Sequence, residues 1–137
     1  MALLIDTGPL LAAIDRSDPD HDRCRQMIER TREPRVVPAP VIVELDYWCR
    51  IKLEVQDFLA FLDDVVAGAF RIEHLEHGDY GRVRELQAKS LDNRIGFVDA
   101  PVLAIAERLR EPKLATLDHR HFSAMRPAHV RALRLLP

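Results

Sequence analysis

Four carboxylates in this chain sit where a purely structural role does not ask for them: Asp6, Glu44, Asp99 and Asp118. Asp6 follows the apolar run Leu3-Leu4-Ile5 and precedes Thr7-Gly8-Pro9, the pattern of a strand that ends in a turn. Asp118 follows Leu114-Ala115-Thr116-Leu117, a second run of that kind. If the two strands are parallel neighbours, both side chains meet at one sheet edge. Glu44 lies between Val41 at i−3 and Trp48 at i+4, on the apolar side of a helix. A carboxylate there is costly unless it has a partner. Asp99 opens a long apolar helix just before Ala100-Pro101. Each residue also has a local reading: an Asx turn for Asp6, a solvated rim position for Glu44, an N-cap for Asp99 and a turn cap for Asp118. Four such readings must then hold at once on elements that converge.

Convergence carries an electrostatic consequence. Two carboxylates about 4 Å apart repel by roughly 4 kcal/mol at an effective dielectric of about 20. A cluster of them raises its own pKa values and destabilises the fold, and a bound divalent cation removes that penalty. All-oxygen donors select a hard ion, Mg²⁺ or Mn²⁺. Such an ion bridges to phosphate oxygens, so phosphodiester hydrolysis is the chemistry that follows. Asp46 points about 200° away from Glu44 around an ideal helix and is left outside the site.

The elements that must position these groups alternate. Short strands are expected at Leu3–Ile5, Val36–Val37, Phe70–Leu75, Leu114–Leu117 and Val130–Leu136. Helices are expected from Leu10, over 21–32, from Pro40 through Ile51, and over 55–66, 80–90 and 97–109. Strands alternating with helices give an α/β fold, with a central, mainly parallel sheet flanked by helices. No linker, repeat or low-complexity tract interrupts residues 1–137, so one domain is expected. Ligands in such folds bind beyond the carboxyl ends of the strands.

Composition narrows the function class. Hydrophobic residues are 47% and charged residues 31% of the chain, ordinary for a soluble globular protein, and no long apolar run suggests a membrane span. The net charge of −2 does not announce a nucleic-acid partner. Lys52, Lys89 and Lys113 are the only lysines among 20 basic residues, so 17 are arginine, the fork that matches phosphate oxygens. Cys24 and Cys49 lie in unrelated segments and read as reduced thiols of a cytoplasmic protein. His119 and His121 invite zinc, but too few nitrogen or sulfur partners accompany them. His121, beside Phe122, reads as structural, and His119 or Arg120 as a contact to phosphate. Trp48 reads as packing rather than as a platform for a base. A phospho-acceptor receiver domain would need paired acids after the first strand and a lysine on a late strand's loop, whereas here the first motif has one acid and Asp118 is followed by His119-Arg120.

Leu4-Ile5-Asp6-Thr7-Gly8-Pro9-Leu10, Val43-Glu44-Leu45, Gly96-Phe97-Val98-Asp99-Ala100 and Ala115-Thr116-Leu117-Asp118-His119-Arg120-His121-Phe122 resemble the four motifs of bacterial PIN domains, and most of all those of VapC toxins. The resemblance spans almost the whole chain. It implies a Mg²⁺- or Mn²⁺-dependent endoribonuclease that cuts tRNA or rRNA, forms homodimers and is neutralised by a small VapB-type antitoxin. A PIN nuclease of RNA maturation or decay is the alternative. The resemblance puts Asp6, Glu44, Asp99 and Asp118 on the family's acidic quartet, with Thr7 and Thr116 beside the metal or its waters. Asp92-Asn93-Arg94-Ile95 departs from the family's apolar-proline stretch before the third motif, and leaves Asp92 as a supporting acid.

Overall fold

The computed structural model describes residues 1–137. Five strands, β1 (Leu3–Ile5), β2 (Arg35–Pro38), β3 (Arg71–Glu73), β4 (Lys113–Ala115) and β5 (Arg134–Leu136), form one sheet in the order β3-β2-β1-β4-β5. Every pairing is parallel. The expected α/β architecture with a parallel sheet is therefore what forms. β1 is central and all three of its residues are buried, as a strand covered on both faces requires.

The helices are α1 (Thr7–Ile14), α2 (His21–Arg30), α3 (Ala39–Lys52), α4 (Val55–Val66), α5 (His77–Lys89), α6 (Asp99–Leu109) and α7 (His119–Ala124). α1 packs on α2 and α3, α3 on α4, and α5 on α6. In α3, Val41, Leu45 and Cys49 recur every four residues and are all buried. Seven consecutive residues of α6, Ala100 through Ala106, are buried, so this helix is enclosed on all sides. No helix is long and apolar enough to cross a membrane.

Several boundaries differ from those read in the sequence, each for a local reason. α1 begins at Thr7, with no intervening turn, because Pro9 falls in the first turn where its missing N–H costs nothing. α5 begins at His77 rather than Tyr80, because Glu76 and Asp79 form a capping box and the Glu76 N–H donates to Asp79 Oδ2 at 2.8 Å. β5 is confined to Arg134–Leu136, and the Asp118 turn continues into α7. The unusual Asp92-Asn93-Arg94 stretch makes a 3₁₀ turn over Leu91–Asn93 and leaves it at Arg94 with φ of 50°.

Strand order locates the site. The chain runs from β1 outward to β2 and β3, then returns across β1 to place β4 and β5 on its other side. The crevice between β1 and β4 is thus the point where the winding reverses, which is where such sheets bind ligands. Ile5 pairs with Ala115, so Asp6 and Thr116 leave the sheet side by side. Behind them, Arg108 fastens α6 to its neighbours: its Nε donates to Asp79, its Nη1 to Glu73 at 2.9 Å and its Nη2 to the His74 carbonyl. Arg82 holds Glu107 through two parallel hydrogen bonds of 2.7 and 2.8 Å.

The enclosure of α6 sets an expectation for stability. Leu103→Ala should cost about 2–5 kcal/mol in urea unfolding, as deletion of a fully buried leucine does. Val66→Ala, at an exposed position on α4, should stay within about 0.5 kcal/mol of wild type.

Candidate metal centre

All four acids line one cleft of about 360 Å³ beyond the carboxyl ends of β1 and β4. Four separate elements deliver them. Asp6 ends β1 and occupies the N-cap position of α1 without making a side-chain cap. Glu44 comes from the second turn of α3, Asp99 is the first residue of α6, and Asp118 is the N-cap of α7. Thr7 also lines the cleft, and Leu11, Trp48 and Leu117 supply apolar wall. A Cβ on Gly8 would come within 3.2 Å of the Leu117 Cβ, so this turn of α1 approaches the wall closely because it lacks a side chain.

Thr116 braces the centre. Its hydroxyl donates to Asp6 Oδ2 at 2.9 Å and accepts the Asp118 N–H at 3.0 Å. The residue is wholly buried, so this one hydroxyl fixes the relative position of two acids that are far apart in sequence. Asp118 in turn accepts the His121 backbone N–H at 3.0 Å, the bond that starts α7.

The remaining donors point to an occupant. Asp6 Oδ1 and Thr7 Oγ1 are buried and have no hydrogen-bond partner. Buried polar atoms are nearly always paired, so two orphans lining one acidic cleft match a site that takes its partner from outside the protein. Burial, helped by the neighbouring charges of Asp99 and Glu44, pushes the Asp6 carboxyl up to about 7. Burial and the Asp118 charge push Asp99 up to about 6, with His121 opposing them. A carboxylate-rich cleft with orphaned oxygens fits a hard divalent cation.

Four residues stand differently from the sequence reading or outside the cleft. His121, read as structural, does not line the cleft but contacts two of its acids: its Nδ1 is hydrogen-bonded to Asp118 Oδ2 at 2.7 Å and lies 3.0 Å from Asp99 Oδ2. Its signal in the sequence was the Asp118-x-x-His121 spacing, which turns the side chain back over the capping acid. Trp48 is part of the cleft wall, with Lys52 Nζ 5.0 Å from its ring centre. Asp92 is exposed on the 3₁₀ turn and does not line the cleft. Arg120 is exposed on the first turn of α7, and it too is outside the cleft lining. Asp46 pairs with Arg50 on α3 instead, as its helical angle required.

Ribonuclease VapC26 of Mycobacterium tuberculosis is 35% identical to this chain over 125 residues, covering 91% of this chain and 93% of that protein. The chain belongs to the VapC family of PIN-domain ribonucleases. No protein-family model matches it. Among solved structures, M. tuberculosis VapC20, described as a sarcin-ricin loop cleaving toxin, aligns with a TM-score of 0.82 over 95% of this chain and 99% of that one, at 16% identity. VapBC2 of Rickettsia felis, bound to a promoter DNA fragment, aligns with a TM-score of 0.71 over 98% of this chain and 97% of that one, also at 16% identity. At that identity the two structures speak for the fold. The VapC fold thus survives where five residues in six have changed.

The raised acids make the metal-free protein sensitive to pH. Between the ordinary aspartate value and the raised ones, the folded state holds protons that the unfolded chain has lost. Their contribution is complete below about pH 4 and is lost as pH rises through about 6 and about 7. In chelator, Tm should therefore fall between about pH 5 and about pH 8, and Asp6→Asn should flatten that fall. A wild-type Tm that rises over this range would contradict the assignment of the shifts.

Proposed function

We propose that this VapC chain is a divalent-metal-dependent endoribonuclease that acts as the toxin of a toxin–antitoxin pair. The observation that carries the reading is the convergence of Asp6, Glu44, Asp99 and Asp118 on one cleft that also holds two orphaned oxygens. The kinship with a ribonuclease of nearly the same length supports it. Asp6, Asp99, Glu44 and Asp118 would hold Mg²⁺ or Mn²⁺. When bound, the ion polarises a phosphate oxygen and lowers the pKa of a water that can attack phosphorus.

The chain's own residues supply the rest. Thr116 holds Asp6 Oδ2 against the Asp118 backbone, so that oxygen need not reorganise when substrate arrives. The apolar wall of Leu11, Trp48 and Leu117 lowers the local dielectric and strengthens every charge interaction in the cleft. Thr7, whose buried hydroxyl has no partner within the chain, would help hold the ion. Arg120, exposed on α7, would meet the RNA backbone outside the cleft, where a guanidinium fork matches phosphate. The substrate class is tRNA or rRNA, whose exposed loops are the usual targets of sequence-reading proteins.

The same reading includes partners. A small VapB-type antitoxin would neutralise the enzyme, as solved complexes named VapBC support, and homodimers would join with it into a larger assembly. Residues 1–137 act as one PIN domain in the cytoplasm on this reading.

Structured RNA incubated with the purified chain should be cut when Mg²⁺ or Mn²⁺ is present and spared in chelator. Asp6→Asn should lower the rate at least about a hundredfold, the loss of about 2.7 kcal/mol of transition-state stabilisation. Expression of the wild type should arrest growth and expression of the variant should not. Cleavage that persists in chelator, or at an undiminished rate in Asp6→Asn, sinks the nuclease reading. Cleavage in vitro without growth arrest would favour an RNA-processing enzyme over a toxin.

A further inference from the structure

The acids account for most of the centre, but one imidazole stands among them without an assigned task. His121 is the third residue of α7 and faces back over its capping acid, Asp118. Its Nδ1 also reaches Asp99, at the start of α6, so it spans two of the four elements that build the cleft. One donor atom each from Asp99, Asp118 and His121 lie within 4.8 Å of one another.

These separations have a meaning in coordination chemistry. Adjacent ligands of a six-coordinate ion with bonds of about 2.1 Å lie about 3.0 Å apart. In the metal-free chain the Nδ1 to carboxylate contacts of 2.7 and 3.0 Å are a hydrogen bond and an ion pair, and they sit close to that spacing, so a cation that displaces the Nδ1 proton would find the three donors already gathered. The orphaned Asp6 Oδ1 and Thr7 Oγ1 lie in residues more than nine-tenths buried and line the cleft that Asp99 and Asp118 also line. They are an independent sign that the cleft takes a ligand. Imidazole is a softer donor than carboxylate and suits transition ions, whereas Mg²⁺ prefers oxygen and water.

We propose that His121 is a metal ligand of this centre, contributing Nδ1 beside Asp99 and Asp118, and that it makes the centre favour Mn²⁺ over Mg²⁺. This rests on the reading of the centre as a divalent-metal site and adds to it a nitrogen ligand and a preference between ions. The deciding property is the chemistry of the third donor. With three carboxylates the two ions would be close competitors, and with one imidazole the transition ion gains.

The experiment binds Mn²⁺ to the full purified chain and records pulsed electron paramagnetic resonance, reading the electron-spin-echo modulation from a directly bound ¹⁴N. Wild type should show that modulation, His121→Gln should lose it, and His119→Gln, at an exposed neighbour, should keep it. Calorimetry should show Mn²⁺ affinity falling about 10–100-fold in His121→Gln, with Mg²⁺ affinity changed less than about threefold. The wild-type spectrum needs no variant, so a folding defect in His121→Gln cannot hide the answer. Mn²⁺ bound tightly to wild type without nitrogen modulation overturns the ligand assignment and leaves the metal-site reading intact. Equal losses for both ions in His121→Gln overturn the preference. No binding of either ion to wild type overturns this proposal together with the reading beneath it.

Discussion

A carboxylate buried at the end of a central strand is the constraint on which this structure turns. Asp6 leaves β1 buried at the floor of a cleft, and three other acids line the same space. Burial holds its carboxyl well above the ordinary aspartate value, and the charges of Asp99 and Glu44 push it the same way against the hydrogen bonds from Thr7 and Thr116. Such a residue is a liability to a metal-free fold. It becomes useful only when a cation or a proton balances the charge. The protein therefore carries a local instability at the cleft proposed as its metal centre, as functional sites commonly do.

The rest of the architecture holds that liability in place. The sheet puts β1 beside β4, so the chain's reversal of winding opens a crevice at the ends of both strands. Thr116 then spends both capacities of one hydroxyl on fixing Asp6 against Asp118. α6 brings Asp99 from a helix that is enclosed on all sides and cannot drift. Arg108 and Arg82 tie α6 to β3, α5 and the segment that leads to β5. These ion pairs are partly exposed, and each contributes modestly to stability. Their arrangement matters more, since both clamps lie on the last turn of the helix that carries Asp99.

Kinship with VapC proteins fits this division of labour. Near 16% identity to VapC20, the two chains share a fold over nearly their whole length. A parallel sheet with buried strands needs apolar residues at the right period, and many sequences meet that need. The acids are a different kind of requirement. A carboxylate at the end of a buried strand is not demanded by packing, and its presence there calls for a chemical reason.

The sequence by itself determined the alternation of strands and helices, the placement of Glu44 within α3 and Asp99 at the head of α6, and the identity of the four acids. All of these are local: they depend on side-chain period, on proline and capping residues, and on charge in an apolar run. Even so, capping fine structure moved the start of α5, because the Glu76–Asp79 box acts earlier than the apolar pattern begins. Only the tertiary structure decided that β1 neighbours β4, that Thr116 bridges two acids, that His121 belongs among them, and that Asp92 stands apart. Those facts depend on which faces bury against one another. A contact such as His121 to Asp99 joins two helices whose meeting is set by the packing of the whole sheet, and no spacing along the chain encodes it.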